Sequence, residues 1–186
     1  IGRLAYPIFA FLLVEGYFHT RNLKRYALRL LLFAVISEIP FNLMYSSSFV
    51  YPFHQNVMLT LLLGLLACRA WDRKQWWKVA LLLLAGVVTF PDYGVMGVTT
   101  VLMFHVFRDW KWAQLLGLIL INWFGFEGQH LILGSYEVPI QAFAIGAILP
   151  ILLYNGEKGK VKLKYFFYIF YPLHLVLLQG LAMLLA

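Results

Sequence analysis

A small set of polar side chains lies at the ends of long apolar runs, where side chains of these types could do chemistry. One group of them lies at the ends of the second to fifth apolar runs: Glu38, His54, Gln55, Asn56, Asp92 and Tyr93. A carboxylate that fixes the tautomer and orientation of an imidazole makes it a general base. His54 with Glu38 or Asp92 is therefore a candidate catalytic group, with Gln55, Asn56 and Tyr93 as substrate contacts. The alternative is a polar rim at the lipid headgroups, in which Asn56 caps the following helix.

The last apolar run carries tyrosines at three-residue spacing followed by a histidine: Tyr165, Tyr168, Tyr171 and His174. Side chains three apart are neighbours on a helix, so the spacing predicts a hydrogen bond from Tyr171 to His174. Both are candidates for the reaction site, His174 as a catalytic group and Tyr171 as a channel or substrate contact. The alternative is a core histidine that a tyrosine or a carbonyl satisfies.

Glu15 lies inside the first apolar run, four residues before His19, so the two share one face of a helix. A carboxylate is costly in hydrocarbon and needs a partner. Glu15 is thus interpreted either as a structural pair with Arg21 or Arg25, or as a contact for a substrate or a proton.

The composition indicates what must position these residues. Hydrophobic residues make up 62% of the 186, aromatic residues 18% and charged residues 12%, with a mean hydropathy of +0.79. Soluble domains carry about 25% charged residues. The aromatic content excludes a disordered chain, and the single cysteine, Cys68, excludes a disulfide scaffold. The composition predicts an all-α bundle of membrane-spanning helices.

About eight spans fit the chain at about 20 residues per crossing, and they form one transmembrane domain over residues 1–186. Leucine-rich, non-alternating runs disfavour strands within them. Pro40, Pro91 and Pro139 are predicted to mark helix ends. The predicted segments are 4–20, 25–39, 56–70, 77–91, 93–107, 111–124, 138–153 and 165–185.

The basic residues predict the orientation of the spans. Fourteen of the 15 Lys and Arg residues follow segments one, three, five and seven, whereas 40–55, 91–92 and 125–137 contain neither residue. Cytoplasmic loops retain Lys and Arg, so the basic loops are expected inside and the His54 end outside the bacterial cytoplasmic membrane. The net charge of +7 then reflects topology, and nucleic acid is not an expected partner. The expected partner is the lipid bilayer.

Several blocks of the sequence resemble the TraX family over essentially the whole chain. They are Gly2-Arg3-Leu4-Ala5-Tyr6-Pro7-Ile8-Phe9-Ala10-Phe11, Val14-Glu15-Gly16-Tyr17, His19-Thr20-Arg21-Asn22, Ser37-Glu38-Ile39-Pro40-Phe41, His54-Gln55-Asn56, Asp92-Tyr93-Gly94, Tyr154-Asn155-Gly156 and Tyr171-Pro172-Leu173-His174. That family is named for the conjugative pilin acetylase and is similar to the acyltransferase-3 superfamily of membrane acyltransferases. The resemblance also implies one further helix, bearing an Asp-His pair, upstream of Ile1.

The resemblance implies transfer of acetyl from cytoplasmic acetyl-CoA to an amine or hydroxyl at the outer face, on a pilin-like protein or a small compound. Phosphates of the donor need cationic partners, and the first basic loop supplies them. These expected donor-binding residues are Arg21, Lys24, Arg25 and Arg29. The histidines and acids match no metal signature, so no metal is predicted. Two other hypotheses remain open, a small transporter or flippase and a non-catalytic subunit of a membrane complex.

Overall fold

The computed structural model describes residues 2–125, 130–133, 136–156 and 166–185, and most of them are helical. The elements in chain order are α1 (Gly2–His19), α2 (Leu23–Ser46), α3 (Val57–Asp72), α4 (Trp76–Val88), α5 (Gly94–Val106), α6 (Lys111–Phe124), β1 (His130–Leu133), β2 (Tyr136–Pro139), a 3₁₀ helix (Ile140–Ala147), α7 (Ile148–Leu152) and α8 (Phe166–Leu185). The all-α class predicted from composition is confirmed for the described residues, apart from the β1–β2 hairpin.

Two proline predictions meet different outcomes. Pro91 lies between α4 and α5, as expected, but Pro40 does not end a helix, because α2 continues to Ser46. A proline inside a helix removes one backbone hydrogen bond, and neighbouring helices compensate for this in membrane proteins. The second predicted segment is therefore longer at both ends than residues 25–39.

The seventh predicted segment, 138–153, is not one helix. Its first residues pair in the antiparallel β1–β2 hairpin, with Leu131 opposite Val138, and a 3₁₀ helix precedes the short α7. Pro150 explains the interruption, since it lies in the first turn of α7, where a backbone N–H has no helical partner to lose. The hairpin occupies part of 125–137, which was predicted to be a loop.

Helix α3 lies at the centre of the bundle and packs against α2, α4 and α5, while α1 packs against α5 and the 3₁₀ helix. The interior between the two ends is apolar and fully buried at Ala10, Val14, Leu65 and Phe104. Helix α8 packs along α2. The two ends of the bundle thus carry the polar side chains, with a packed apolar layer between them.

Large apolar side chains cover much of the outer surface, including Leu28, Val35, Leu81, Trp112 and Leu177, each more than half exposed. Among the described residues, one helix, α2, has both the length and the apolar composition to cross a membrane by itself. The eight-span arrangement stays a prediction, and the basic stretch 158–164 lies outside the described residues.

The predicted orientation can be tested with two exposed positions at opposite ends of the bundle. In a Cys68→Ala background, Ser48→Cys is expected to react with a membrane-impermeant maleimide on intact cells, whereas Arg73→Cys is expected to react only after permeabilisation. Ser48 follows α2 and Arg73 follows α3, and both side chains are exposed. Labelling of Arg73→Cys on sealed cells would reverse the orientation.

Candidate functional site

Asn56 connects α2 to the start of α3 at one end of the bundle, called here the His54 end. Its Oδ1 accepts a hydrogen bond from the Met58 N–H at 3.0 Å, so the predicted helix cap is confirmed. Its Nδ2 donates to the Ala34 carbonyl at 2.8 Å and to Glu38 Oε2. Asn56 is 1% exposed, so Glu38 is held in a fixed position inside the bundle.

His54 pairs with Asp92. The two residues come from loops 38 positions apart, and their backbones are tied together because Gln55 N–H donates to Phe90 O at 2.9 Å and Asp92 N–H donates to Gln55 O at 2.8 Å. This brings His54 Nε2 to 3.2 Å from Asp92 Oδ1. Of the two carboxylates proposed from sequence to orient His54, the structure selects Asp92, since Glu38 is bound to Asn56.

The pair has the arrangement of a general base. When His54 Nε2–H donates to Asp92, the lone pair of the neutral ring is on Nδ1. The ring stacks on Tyr45 at 4.5 Å and on Phe41 at 5.5 Å between centroids, which fixes its plane. One quarter of the His54 side chain is exposed (25%), so a bound molecule can reach the imidazole from solvent.

Arg3, which the sequence analysis did not single out, sets the charge around this pair. Burial raises the pKa of Asp92, and the interaction with His54 and the positive charge of Arg3 lower it in part. Arg3 also hydrogen-bonds the Tyr93 side chain. Its position in the first recognisable block, three residues before Tyr6, was the available signal.

Removal of Arg3 is expected to move the acidic limb of the pH–rate profile to higher pH, for any reaction in which His54 acts as the base. Arg3→Gln takes away a positive charge that lowers the pKa of Asp92, so the carboxylate loses its ionised form, and its hold on His54, at a higher pH. Arg69→Gln, at the other end, is the matched control. A pH–rate profile of Arg3→Gln identical to that of the unchanged protein would contradict this role.

Unfolding does not explain such a loss. Because the pKa of Asp92 is higher in the folded chain than in the unfolded chain, the folded state takes up this proton first. The contribution of Asp92 to the free energy of unfolding therefore rises as the pH falls between the folded and unfolded pKa values, and is lost above the folded value. Thermal melts across the same pH range separate the two effects.

Buried hydroxyls without partners extend the site toward the interior. Tyr6 stacks on Tyr93 with 3.8 Å between ring centroids. Tyr6 Oη and Thr60 Oγ1 are both buried and make no hydrogen bond within the part of the chain that the structure describes. A Cβ on Gly97 would lie 2.7 Å from Tyr6 Oη and 2.5 Å from Thr60 Cγ2, so only glycine allows these groups to meet. Glu38 Oε1 is buried without a partner as well. Such orphaned groups are polar contacts available to a bound molecule.

Tyr171 joins this group, but the hydrogen bond predicted between it and His174 does not form. The Val57 N–H donates to Tyr171 Oη at 3.4 Å, and Glu38 and Asp92 act electrostatically on the same hydroxyl. His174 Nδ1 instead lies 3.1 Å from the Phe170 carbonyl, and its ring is 5.3 Å from that of Tyr171. The hydroxyl has a nearer donor at the start of α3, and the imidazole bonds its own helix.

We call this group the outer polar layer. It consists of Tyr6, Glu38, His54, Asn56, Thr60, Asp92, Tyr93 and Tyr171. Gln55 borders it through its backbone, while its side chain donates to Pro52 O at 3.1 Å.

At the opposite end, called the Glu15 end, Glu15 binds Arg108. Arg108 Nε and Nη2 donate to the two carboxylate oxygens at 2.8 and 3.1 Å. The predicted partners were Arg21 and Arg25, and that prediction is wrong: both are exposed at the α1–α2 turn, whereas packing of α1 on α5 brings Arg108 to the level of Glu15. His19, four residues on, lies 3.9 Å from Glu15, as its helical spacing predicted.

The four residues predicted to hold donor phosphates form no shared site with Glu15. Arg21, Lys24 and Arg25 are exposed, and Arg29 places its guanidinium 5.6 Å from the ring centroid of Tyr26. Arg21, Lys24 and Arg25 thus form an exposed basic patch beside the end of α1, next to the half-buried Arg29.

A cleft of about 400 Å³ opens beside the Glu15–Arg108 pair. Phe11 and Ile151 form its apolar wall, and Gln114 and Tyr154 lie on its polar side. Tyr154-Asn155-Gly156 is one of the blocks that carry the family resemblance, and no role was predicted for it; all three residues line this cleft. Burial and the negative charge of Glu15 raise the pKa of Tyr154, and Arg108 lowers it in part.

A second histidine–carboxylate pair lies at the same end. His105 Nε2 is 2.7 Å from Asp72 Oδ1, and Tyr17 Oη donates to Asp72 Oδ2 at 2.5 Å. These contacts connect α1, α3 and α5. The His105 side chain is 3% exposed and stacks on Phe18, so this pair is a packed connection between helices.

Comparison with known proteins agrees with the resemblance seen in the sequence. The profile of the family described as TraX protein matches residues 1–182. A protein from Dichelobacter nodosus described as "Probable fimbrial assembly protein FimC, serogroup H1" is 32% identical over 206 aligned residues, which cover 100% of this chain and 82% of that protein. No solved structure matches. The chain belongs to the TraX family, whose members are membrane-associated.

Proposed function

We propose that the chain is a membrane acetyltransferase that acetylates an amine or hydroxyl at the outer face of the bacterial cytoplasmic membrane. The observation that carries the proposal is the His54–Asp92 pair at 3.2 Å, which opens on one side to the exterior and on the other to the outer polar layer. A ring held by a carboxylate and leaving Nδ1 free fits the base that acyl transfer needs.

The reaction balances with the groups present. His54 Nδ1 takes the proton of the acceptor N–H or O–H as that atom attacks the thioester carbon of acetyl-CoA. The new bond between the acceptor atom and the acetyl carbon forms, the carbon–sulfur bond breaks, and the leaving CoA thiolate takes the proton from the imidazolium. The unpartnered hydroxyls of Tyr6 and Thr60 are hydrogen-bond donors for the oxyanion that develops on the acetyl oxygen.

The acceptor is proposed to be the amino terminus of a pilin-like protein. The Dichelobacter nodosus relative carries a fimbrial assembly description, and its alignment covers 100% of this chain and 82% of that protein. An aromatic chain leads away from His54: Tyr45 stacks on the imidazole, Tyr51 contacts Tyr45, and Phe53 contacts Tyr51. Aromatic surfaces of this kind bind apolar peptide ends with little loss of side-chain entropy.

The surface of the bundle supports insertion in a bilayer. The more than half-exposed Leu28, Val35, Leu81 and Leu177 would be an aggregation surface in water, whereas in lipid they contact acyl chains. The exposed basic patch of Arg21, Lys24 and Arg25, with the half-buried Arg29 beside it, would then face the cytoplasm, where it can bind the phosphates of acetyl-CoA.

Radiolabelled acetyl-CoA and a synthetic peptide with the amino-terminal sequence of a pilin test the proposal with the purified full chain. We expect label on the free-amine peptide, and none on the same peptide with a blocked amino terminus. Absence of label on the free peptide, together with accumulation of either compound in vesicles containing the protein, would contradict the acetyltransferase proposal and favour a transporter.

A further inference from the structure

Glu38 lies in the outer polar layer with one of its two carboxylate oxygens unused. Asn56 donates to Glu38 Oε2 from its side-chain Nδ2 and, at 3.5 Å, from its backbone N–H. Glu38 Oε1 is buried and accepts no hydrogen bond from any residue that the structure describes. A buried carboxylate oxygen without a donor is costly, so a bound molecule that donates an N–H or O–H to Oε1 is stabilised there.

Glu38 and His54 belong to one site. Phe41, three residues after Glu38 on the same face of α2, stacks on the His54 ring with 5.5 Å between centroids. Asn56, which holds Glu38, follows His54 by two residues. The hydroxyl of Tyr171 feels the negative charge of Glu38 and that of the carboxylate bound to His54. Glu38 therefore lies about one helical turn deeper in the bundle than the His54 ring.

Two hydrogen-bond acceptors at one site distinguish an amine from a hydroxyl by the hydrogens on the attacking atom. A neutral amine carries two N–H groups, so it can donate one to His54 Nδ1 and the other to Glu38 Oε1. A hydroxyl carries one O–H. When the hydroxyl donates that hydrogen to His54, its oxygen presents only lone pairs to Glu38 Oε1, and two buried acceptors repel each other. A site built to bind an N–H rejects an analogue that lacks it.

We propose that Glu38 is the residue that selects an amine acceptor over a hydroxyl acceptor. Its Oε1 binds the N–H that His54 does not take, and Asn56 positions the carboxylate for that contact. Positive charge develops on the nitrogen as it attacks the thioester carbon, and the carboxylate stabilises this charge until His54 removes the proton. Glu38 itself exchanges no proton. The inference rests on the proposed function, because it names the acceptor class of that reaction and the residue that selects it.

Glu38→Gln reverses the hydrogen-bond character of this position. The two donors of Asn56 hold the amide oxygen of the new side chain where Oε2 lies, so the amide NH₂ takes the place of Oε1. This NH₂ opposes the second N–H of an amine and donates to the lone pair of a hydroxyl. We expect acetyl transfer to an amine to fall about 10–100-fold, the effect of losing a hydrogen bond to a charged group, and transfer to a hydroxyl to rise.

The probes are a synthetic peptide with a free amino terminus and the same peptide with a hydroxyl in place of that amino group. Initial rates with labelled acetyl-CoA are measured for both on the purified full chain at about pH 8, where about half of the amino termini are neutral. The ratio of the amine rate to the hydroxyl rate does not depend on how much of a preparation is folded. Glu137→Gln, the same change at an exposed carboxylate, is the matched control and should leave this ratio unchanged.

Glu38→Asp separates the charge from its position. It keeps the carboxylate but shortens the side chain by one methylene, so the ratio should fall less than in Glu38→Gln, because no donor replaces Oε1. A ratio equal to that of the unchanged chain in either variant, whatever the absolute rates, would overturn the selection by Glu38 and leave the acetyltransferase proposal standing. Absence of acetyl transfer to both peptides in the unchanged chain would refute the proposed function, and this inference with it.

Discussion

His54→Ala is expected to lower acetyl transfer by about 10²–10⁴-fold, the range lost when a general base is removed. The side chain is one-quarter exposed and makes one polar contact, with Asp92, so its removal opens no cavity in the apolar core. The melting temperature should therefore change little. The measurement is initial rate with labelled acetyl-CoA, paired with a thermal melt in detergent.

Three other variants decide what a loss of acetyl-transfer activity in His54→Ala means. His19→Ala is the matched control, because His19 is half exposed and lies at the other end of the bundle. Asp92→Asn keeps the shape of the side chain but removes the charge that orients His54, so we expect a smaller loss of acetyl-transfer rate than in His54→Ala. His174→Ala tests the second histidine nominated from sequence. A rate of acetyl transfer in His54→Ala equal to that of the unchanged chain would mean that His54 belongs to a polar rim at the lipid headgroups and is not catalytic.

Glu15→Gln is expected to cost about 2 kcal/mol of stability. Loss of one partner of a buried ion pair costs about 3–5 kcal/mol because a charge is left unpaired, and the value here is lower since Arg108 keeps 34% of its side chain exposed. For a chain of this length, that corresponds to a melting temperature lower by about 4–8 °C. A thermal melt in detergent measures it.

The double variant Glu15→Gln/Arg108→Gln isolates the pair. We expect it to be more stable than the sum of the two single changes by about 1–3 kcal/mol, because neither charge is then left alone. Arg21→Gln and Arg25→Gln, the partners expected from sequence, serve as controls and should leave the melt unchanged. Strict additivity of Glu15→Gln and Arg108→Gln would mean that the two charges do not stabilise one another.

Local signals predicted much of this architecture. Runs of leucine, valine and phenylalanine predicted α1 to α6 and α8. The placement of Lys and Arg after every second segment distinguished the two ends of the bundle. Asn56 was predicted as a helix cap from its position alone, and the structure confirms it. These features depend on neighbours in sequence, so a single chain reveals them.

Contacts between distant helices were harder to predict. The partner of Glu15 is 93 residues away, and its choice depends on how α1 packs on α5 rather than on any spacing. Sequence analysis placed His54 beside two carboxylates, but the backbone pairing of Gln55 with Asp92 decides between them. The hairpin and the 3₁₀ helix before α7 were not predicted, because the hydropathy of 138–153 is continuous.

The most direct test of acetyl transfer at the outer face uses sealed vesicles that contain the full chain in one orientation. Labelled acetyl-CoA is supplied only on the side of the basic loops, and the amine peptide only on the side of His54. The predicted result is labelled peptide in the His54 compartment, with His54→Ala giving none. Label that appears only when donor and peptide share a compartment, or no label in either arrangement, would contradict the account.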